Sequence, residues 1–422
     1  MKYLDSLKEY QGMKPGLSRI RNFLKHIGNP ERSFKSIQIA GTNGKGSTAL
    51  FLSNILRRHG YRTGLYTSPH LINVCERIKI DAKEISQKTF NAILKKYNSC
   101  AKKFGLSYFE YLTAIAFIYF ADKKIDTAVL ETGLGGRFDA TNIVKNPLSC
   151  IITSISFDHE EILGSSLSKI AYEKAGIIKK NAFVICPPLV KPAMKEIEKK
   201  AKPYVFSKSF RVKNVNAAKG IQEFDYYGIN NNFKNLKISM SGAHQIQNCA
   251  IAVCAAELIL GLKINKQSLV AALLESVHTA RFDIKKIQLE NKKIELIIDG
   301  AHNIEGIYSF IKTWKSEGYA QKKRPLIFAL MKQKDYRKIA KALYPFASKI
   351  ILPKLDNPRS LETKKIKEVF LKLDSQIEII ETDNIKKVFR QIKNNEKVAA
   401  VGSLYLAGEV LNFINQLGDY YD

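Results

Sequence analysis

The sequence predicts an α/β protein in two domains. The first carries a mainly parallel sheet and a small antiparallel β section; the second is smaller and also α/β. Three observations lead there. A glycine-rich run, Gly41-Thr42-Asn43-Gly44-Lys45-Gly46-Ser47, sits between a short alternating strand and an amphipathic helix. Strand-like and helix-like segments alternate from 36 to 190 and again from 294. The length, 422 residues at 45% hydrophobic composition, exceeds one ordinary core and is too apolar for disorder.

The first strand, 36–40, is marked by Ile37 and Ile39. The glycines after it let the backbone curl so that its N–H groups face inward. The helix that follows, Ser47 to His59 and stopped by Gly60, adds the partial positive charge of its N-terminus. Lys45 supplies a mobile cation suited to a triphosphate. The run is therefore read as a phosphate cradle, and the first domain as P-loop ATPase-like. The strict pattern G-x-x-x-x-G-K-[ST] is not met, because Ile39 stands five before Gly44 and Gly46 separates Lys45 from Ser47. A turn that binds nothing is the alternative, and the strand–loop–helix context favours the cradle.

Further strands are expected at 62–66, 125–131, 148–156 and 182–186, with helices at 86–104, 109–122 and 166–178. From 203 to 240, aromatic and β-branched residues alternate between Asn, Gly and Ser clusters, as in antiparallel hairpins. A helix follows at 244–260, and 276–284 reads as a boundary. Strands at 294–299, 325–330, 349–353, 377–381 and 397–402 then form a Rossmann-like domain. The division is placed at 1–281 and 282–422.

In parallel sheets, ligands bind beyond the carboxyl ends of strands. Several polar residues fall there. Glu131 ends an apolar strand and is a natural Mg²⁺ ligand, a salt-bridged or capping glutamate being the alternative. Asp158-His159 follows the strand from Cys150, which suggests a metal or phosphate role. Ser68-Pro69-His70 is ordinary turn chemistry when read alone, but its position makes the Ser68 hydroxyl a second Mg²⁺ candidate. Lys174, late in a helix, reads alone as a surface lysine. A lysine of lowered pKa offers another option, since it can add CO₂ to become a carbamate. Asp299-Gly300-Ala301-His302-Asn303 follows a strand, and its small residues permit close approach of a ligand; Asn303 as a plain helix cap is the alternative. Asn248 and Arg281 are placed to reach a nucleotide.

The formal net charge is +29. A nucleic-acid or membrane surface is one reading. The lysines are spread along the whole chain, in pairs such as Lys95-Lys96 and Lys322-Lys323, with no basic block interleaved with aromatics. That favours solvated faces and a field suited to small anions. Neither a nucleic-acid nor a membrane partner is expected, and a monomer is the default. No apolar run is read as long enough to span a bilayer, and Met1 to Tyr10 lacks the pattern of a secretory signal. Six cysteines without a C-x-x-C pair suggest isolated thiols in a reducing compartment, hence the cytoplasm.

Taken in order, GTNGKGST at 41–48, TSPHL at 67–71, ER at 76–77, FEY at 109–111 and ETGLGGRFDATN at 131–142 form one series. It continues with DH and ILG within 158–164, EKAGIIK at 173–179, HQIQN at 244–248, ARFD at 280–283, DGAHN at 299–303 and GSLYLAGE at 402–409. The chain resembles the bacterial folylpolyglutamate synthases, often bifunctional with dihydrofolate synthase, of the Mur ligase superfamily.

That resemblance implies ATP-driven ligation of L-glutamate to dihydropteroate or a folate through an acyl phosphate. It implies that Gly44, Lys45, Gly46 and Ser47 hold the ATP phosphates and that Ser68, Glu131 and His159 bind Mg²⁺, with two ions expected. Lys174 matches a carbamylated lysine. Asn248, Arg281 and Asp299 match nucleotide contacts, and His302 shares their C-terminal motif. Lys45, Lys174 and His302 are thereby the catalytic candidates. Leu17, Ser18 and Arg19, with Phe109, Glu110 and Tyr111, match a pterin-binding region, and Phe138, Asp139 and Ala140 another part of it. Two details are loose: Glu160 stands where the family often has Thr, and Thr279-Ala280-Arg281-Phe282 replaces a P-G-R-[FLM] segment. Two rivals remain. A cell-wall Mur ligase needs a UDP-binding domain, for which the roughly 35 residues before the phosphate loop are too few. A P-loop regulatory or nucleic-acid-binding NTPase leaves the motif at 299–303 without a role.

Overall fold

The structure is a computed structural model that describes residues 16–218, 220–289 and 291–417, with Leu4 and Leu7. Apart from those two leucines, the opening segment read for a secretory signal lies outside the described residues. The chain parts into two compact units: Met1–Ser239 with Gln245–Ser276, and Met240–His244 with Val277–Asp422.

The first unit is built on an eight-stranded sheet. Its strands are β1 (Lys35–Ala40), β2 (Thr63–Tyr66), β3 (Ile78–Ile80), β4 (Lys83–Glu84), β5 (Thr127–Glu131), β6 (Ser149–Ile152), β7 (Phe183–Cys186) and β8 (Tyr204–Val205). They lie in the order β4-β3-β2-β5-β1-β6-β7-β8. The run from β2 to β8 is parallel, and β3 and β4 extend it antiparallel at one edge. Helices cover both faces, so the central strands read as continuous apolar runs rather than alternating ones: Ile37, Ile39, Val129, Leu130, Ile151 and Ile152 are all fully buried.

Ile39 pairs with Glu131 on one side and Ile151 on the other, so the ends of β5, β1 and β6 meet. The chain leaves β1 for β2, two places to one side, and later fills the other flank of β1 with β6. A crevice opens where strand order reverses. Helices start at defined caps around it. Gly44 opens Lys45–Arg58, Ser107 with Glu110 forms a capping box for Tyr108–Asp122, and Ser166 caps Leu167–Ala175.

The antiparallel section is a three-stranded sheet of β9 (Arg211–Ala218), β10 (Ile221–Tyr227) and β11 (Asn232–Ile238). Glu257 pins its turn. The fully buried carboxylate accepts from the N–H groups of Ile229, Asn230 and Asn231 and from the Tyr226 hydroxyl. Glu257 lies on the helix Ala243–Leu260, which corrects one expectation. Together with the turn to Lys263 it is long and apolar enough to cross a membrane by length and composition, yet most of it is buried as a core helix.

The second unit has a six-stranded sheet in the order β12-β13-β17-β14-β15-β16. The strands are β12 (Asp283–Leu289), β13 (Lys292–Asp299), β14 (Arg324–Phe328), β15 (Ala347–Pro353), β16 (Glu378–Thr382) and β17 (Glu396–Val401). All pairs are parallel except β12–β13. Its core includes Phe282, Phe310, Trp314 and Phe328. The boundary read at 276–284 runs into β12, a strand the sequence reading did not expect.

Candidate active site

The loop between β1 and Lys45–Arg58 is packed so closely that its glycines are obligatory. A Cβ on Gly41 would lie 2.0 Å from Thr153 Oγ1. Gly44 has φ +85°, the left-handed region, and a Cβ there would lie 2.6 Å from Asn248 Oδ1. The Asn248 amide is itself fixed, with Nδ2 donating to Gln245 Oε1 at 3.0 Å.

A strap after β6 holds the loop. Thr42 N donates to Ser154 O at 2.9 Å and Asn43 N to Ser154 Oγ at 2.8 Å. Thr153 Oγ1 donates to Asn43 O at 2.6 Å, and the Thr42 hydroxyl exchanges bonds with the Ser156 backbone. The sequence reading ran the strand to 156 and so missed the strap. β6 ends at Ile152 because these residues bond to the loop instead of continuing the ladder.

Two lysines meet at this loop. Lys45 Nζ donates to Gly41 O at 3.2 Å and Thr42 O at 3.3 Å, and lies 4.0 Å from Glu131 Oε1. Lys174 Nζ donates to Gly41 O at 2.8 Å. Lys174 is only 4% exposed, which corrects the surface reading of it from sequence alone. Burial, and then the positive charge of Lys45, push its pKa down to about 7; Asp158 and Asp139 oppose the shift.

Glu131 closes β5 and is buried; its Oε2 accepts from Ser68 N at 3.1 Å. Ser68 follows β2 and precedes a cis bond to Pro69. His159 takes a left-handed φ of +53° as the cap of the short helix Glu160–Leu163. Its N–H bonds Asp158 Oδ1 at 3.0 Å, and its ring lies between Asp158 at 3.9 Å and Glu161 at 3.7 Å. Among the described residues, no three His, Cys, Asp or Glu side chains form a ready metal cage. The donor set nevertheless fits magnesium. A carboxylate and a hydroxyl at adjoining strand ends leave room for the phosphate oxygens and waters that this ion keeps. Lys174 does not fit as an amine, but it would as a carbamate.

On the same side of the unit, Phe109 packs on the loop after β5, where a Cβ on Gly133 would lie 2.6 Å from its ring. Asp139 braces that loop by accepting from Gly133 N at 2.8 Å and Leu134 N at 3.0 Å, and it also bonds Thr141. Burial pushes the Asp139 pKa up, against these bonds. Ala140 begins the buried turn Ala140–Ile143. Phe138 is 45% exposed under the Arg137 guanidinium. Glu110 accepts from Ser107 N and from Arg19 Nε at 3.1 Å, and its other oxygen is buried without a partner among the described residues. Ser18 and Arg19 open the helix Ser18–His26, and Leu17 before it packs on the core. Tyr111 is fully buried with its hydroxyl on Leu94 O, which makes it a framework residue.

The second unit brings Arg281, Asp299 and His302 together. Asp299 ends β13 and accepts from Phe282 N and Ala301 N, each at 2.8 Å. Burial pushes its pKa up, and the Arg281 charge holds it down. Ala280 and Phe282 both take left-handed φ, +58° and +50°, an arrangement that costs energy in non-glycine residues and is typical of functional sites. A Cβ on Gly300 would lie 2.6 Å from Arg281 Nη1. His302 Nδ1 bonds Gly300 O at 2.8 Å, and Asn303 Oδ1 caps the helix Ile304–Ser316. His244 belongs to this unit too. Burial, Arg281 and Lys312 push its pKa down to about 4, so it is neutral at pH 7.

Comparison with known proteins gives this geometry its setting. The Mur ligase middle domain matches residues 39–256, and the Mur ligase, glutamate ligase domain matches residues 280–404. The dihydrofolate synthase/folylpolyglutamate synthase of Bacillus subtilis is 32% identical, covering 94% of this chain and 95% of its own length. The crystal structure of folylpolyglutamate synthase from Thermotoga maritima superposes with a TM-score of 0.85 at 32% identity, covering 98% of this chain and 95% of that one. The Mycobacterium tuberculosis folylpolyglutamate synthase complexed with ADP and AMPPCP does so at 0.89 and 27%, covering 98% and 97%. A glycine loop at a strand-order switch, a carboxylate on the next strand and these matches along both units have one reading: the chain belongs to the Mur ligase family, in its folylpolyglutamate synthase/dihydrofolate synthase branch.

Proposed function

We propose that this protein is an ATP-dependent ligase that joins L-glutamate to dihydropteroate, to a reduced folate, or to both, releasing ADP and phosphate. The observation that carries the reading is the pair of lysines on one carbonyl. Lys45 and Lys174 both bond Gly41 O, at the strand end where Glu131 stands. That is where a triphosphate needs charge neutralised before an anionic acid can approach it.

The acid's carboxylate oxygen attacks the γ-phosphorus and the bond to ADP breaks, giving an acyl phosphate. The glutamate amine then attacks the carbonyl carbon and loses a proton, and phosphate leaves. Gly44, Gly46, Ser47 and the N-terminus of Lys45–Arg58 cradle the phosphates. Lys45 follows the charge as it moves to the leaving oxygens. Magnesium, when bound, offsets the β- and γ-oxygen charge and polarises the reacting groups. Ser68 and Glu131 would hold one ion, and His159 with a carbamylated Lys174 a second. Asn248, Arg281 and Asp299 serve the nucleotide, and His302 the incoming glutamate. Leu17, Ser18, Arg19, Phe109, Glu110, Tyr111, Phe138, Asp139 and Ala140 shape the region for the pterin, Tyr111 from the core.

The substrates are small molecules, and the +29 charge suits their anionic groups. All six cysteines are unpaired and five are buried, which supports a reducing compartment; we place a monomer in the cytoplasm. The test is ADP release with ATP, Mg²⁺ and L-glutamate, supplying dihydropteroate and tetrahydrofolate in turn. Turnover that requires both glutamate and one pterin acid is expected. ADP release driven by DNA or RNA, and indifferent to glutamate, would overturn the reading.

A further inference from the structure

Arg137 has no role in the scheme above, yet its side chain is held by an ion pair and two aromatic rings at once. Its Nη2 and Nε donate to the two Glu173 oxygens at 2.7 and 3.2 Å. Its own backbone N–H donates to Glu173 O at 2.8 Å. The guanidinium lies 4.2 Å from the Phe138 ring centroid and 5.0 Å from that of Tyr172. An isolated exposed ion pair contributes little. A bidentate, stacked arginine is another matter, because the planar fork fixes direction as well as distance.

The backbones beneath it are interlocked. A Cβ on Gly176 would lie 2.4 Å from Arg137 Cβ, and one on Gly136 would lie 2.9 Å from Lys174 O and 3.0 Å from Glu173 O. Asn142 Nδ2 ties the two segments again, donating to Arg137 O at 3.0 Å and Gly176 O at 3.1 Å. The loop that carries Phe138 and Asp139 therefore meets the end of Leu167–Ala175 that delivers Lys174 to Gly41.

We propose that Arg137 is a positioning residue of the ligase reaction: its fork on Glu173 fixes the Phe138 face, which receives the pterin acid, and Lys174 at the phosphate loop in one geometry. This rests on the reading under Proposed function.

The test is a double-mutant cycle of Arg137→Met and Glu173→Gln, with Arg137→Lys as the conservative variant. Each single variant is expected to lower kcat about 10- to 100-fold, the size of a roughly 1 Å misplacement. Calorimetric titration of dihydropteroate and tetrahydrofolate should show several-fold weaker binding, while the AMPPCP Kd stays within about twofold. The double variant should be no worse than the worse single one, because one contact is removed twice. Arg137→Lys keeps the charge and should recover part of kcat. It also serves as the primary variant if Arg137→Met fails to fold. Unchanged kcat and acid binding in a folded variant, or losses that multiply in the double variant, overturn the inference. A wild-type enzyme that releases no ADP with either acid overturns the functional reading instead, and this inference with it.

Discussion

Lys174 Nζ donates to Gly41 O at 2.8 Å, so a buried amine from the helix Leu167–Ala175 is anchored on the first glycine of the phosphate loop. The bond joins two sequence segments more than a hundred residues apart and places a titrating group beside Lys45 on one loop carbonyl. Its chemistry near neutrality is that of an amine that is protonated only in part.

Lys174→Ala is expected to abolish ligation, and short carboxylates added to the assay should restore part of the activity by standing in for a carbamate. Near-normal turnover in the variant would remove Lys174 from the mechanism.

The same lysine predicts a pH effect on stability. The folded-state pKa is about 7 against 10.5 for a free side chain. Between those values the unfolded chain keeps a proton that the folded chain releases, so stability rises with pH across the window. Below about pH 7 the burial penalty is present in full. In CO₂-free buffer, Lys174→Met should therefore raise Tm relative to wild type more at pH 6 than at pH 9. Thermal melts at the two pH values decide it, and equal differences would count against the lowered pKa.

Glu131→Gln keeps the shape of the side chain and removes its charge. A loss of roughly 10²-fold in kcat, by comparison with other lost electrostatic stabilisers, is expected together with a higher Mg²⁺ requirement. A magnesium titration that superposes on wild type would rule Glu131 out as a ligand.

Gly44→Ala places a side chain at φ +85° and 2.6 Å from Asn248 Oδ1. Strain of that kind costs about 1–3 kcal/mol. Lower stability in urea, with weakened binding of AMPPCP, is the expected result.

Thr153→Val removes the bond to Asn43 O at nearly constant volume. A loss of about 1 kcal/mol of stability and a several-fold rise in the ATP KM are expected, because the Asn43 carbonyl keeps only its longer bond from the Ser154 hydroxyl, at 3.2 Å, and the loop is looser. An unchanged KM would show that Ser154 and Ser156 suffice.

Much of this was legible in the sequence because it is periodic or local. The strand at Ile37 and Ile39, the glycine turn and the helix after it are carried by residues adjacent in the chain, and β1 and Lys45–Arg58 lie within two residues of their predicted bounds. What stayed hidden depends on long-range contact. By residue type Lys174 reads as surface, although Ile170 and Ala171, one turn earlier on the same helix, share its buried face. The Thr153–Ser156 strap looked like more strand because its bonds go to residues 110 or more positions away. Most of β12 lies beyond the boundary read at 276–284 and goes unread as a strand, because Lys285 and Lys286 interrupt its apolar run and an edge strand needs burial on only part of its length.

The second unit is not a continuous stretch of chain, because it includes Met240–His244 as well as everything from Val277. A protein cut after Ser276 would strand that pentapeptide on the wrong fragment. The C-terminal piece would then lack Met240, which is buried in the intact chain, and the partly buried His244, so separately expressed halves would leave it with a gap. Genetic dissection of this enzyme has to keep residues 240–244 with the tail, through a circular permutant or a linker, before either half can be asked to fold alone.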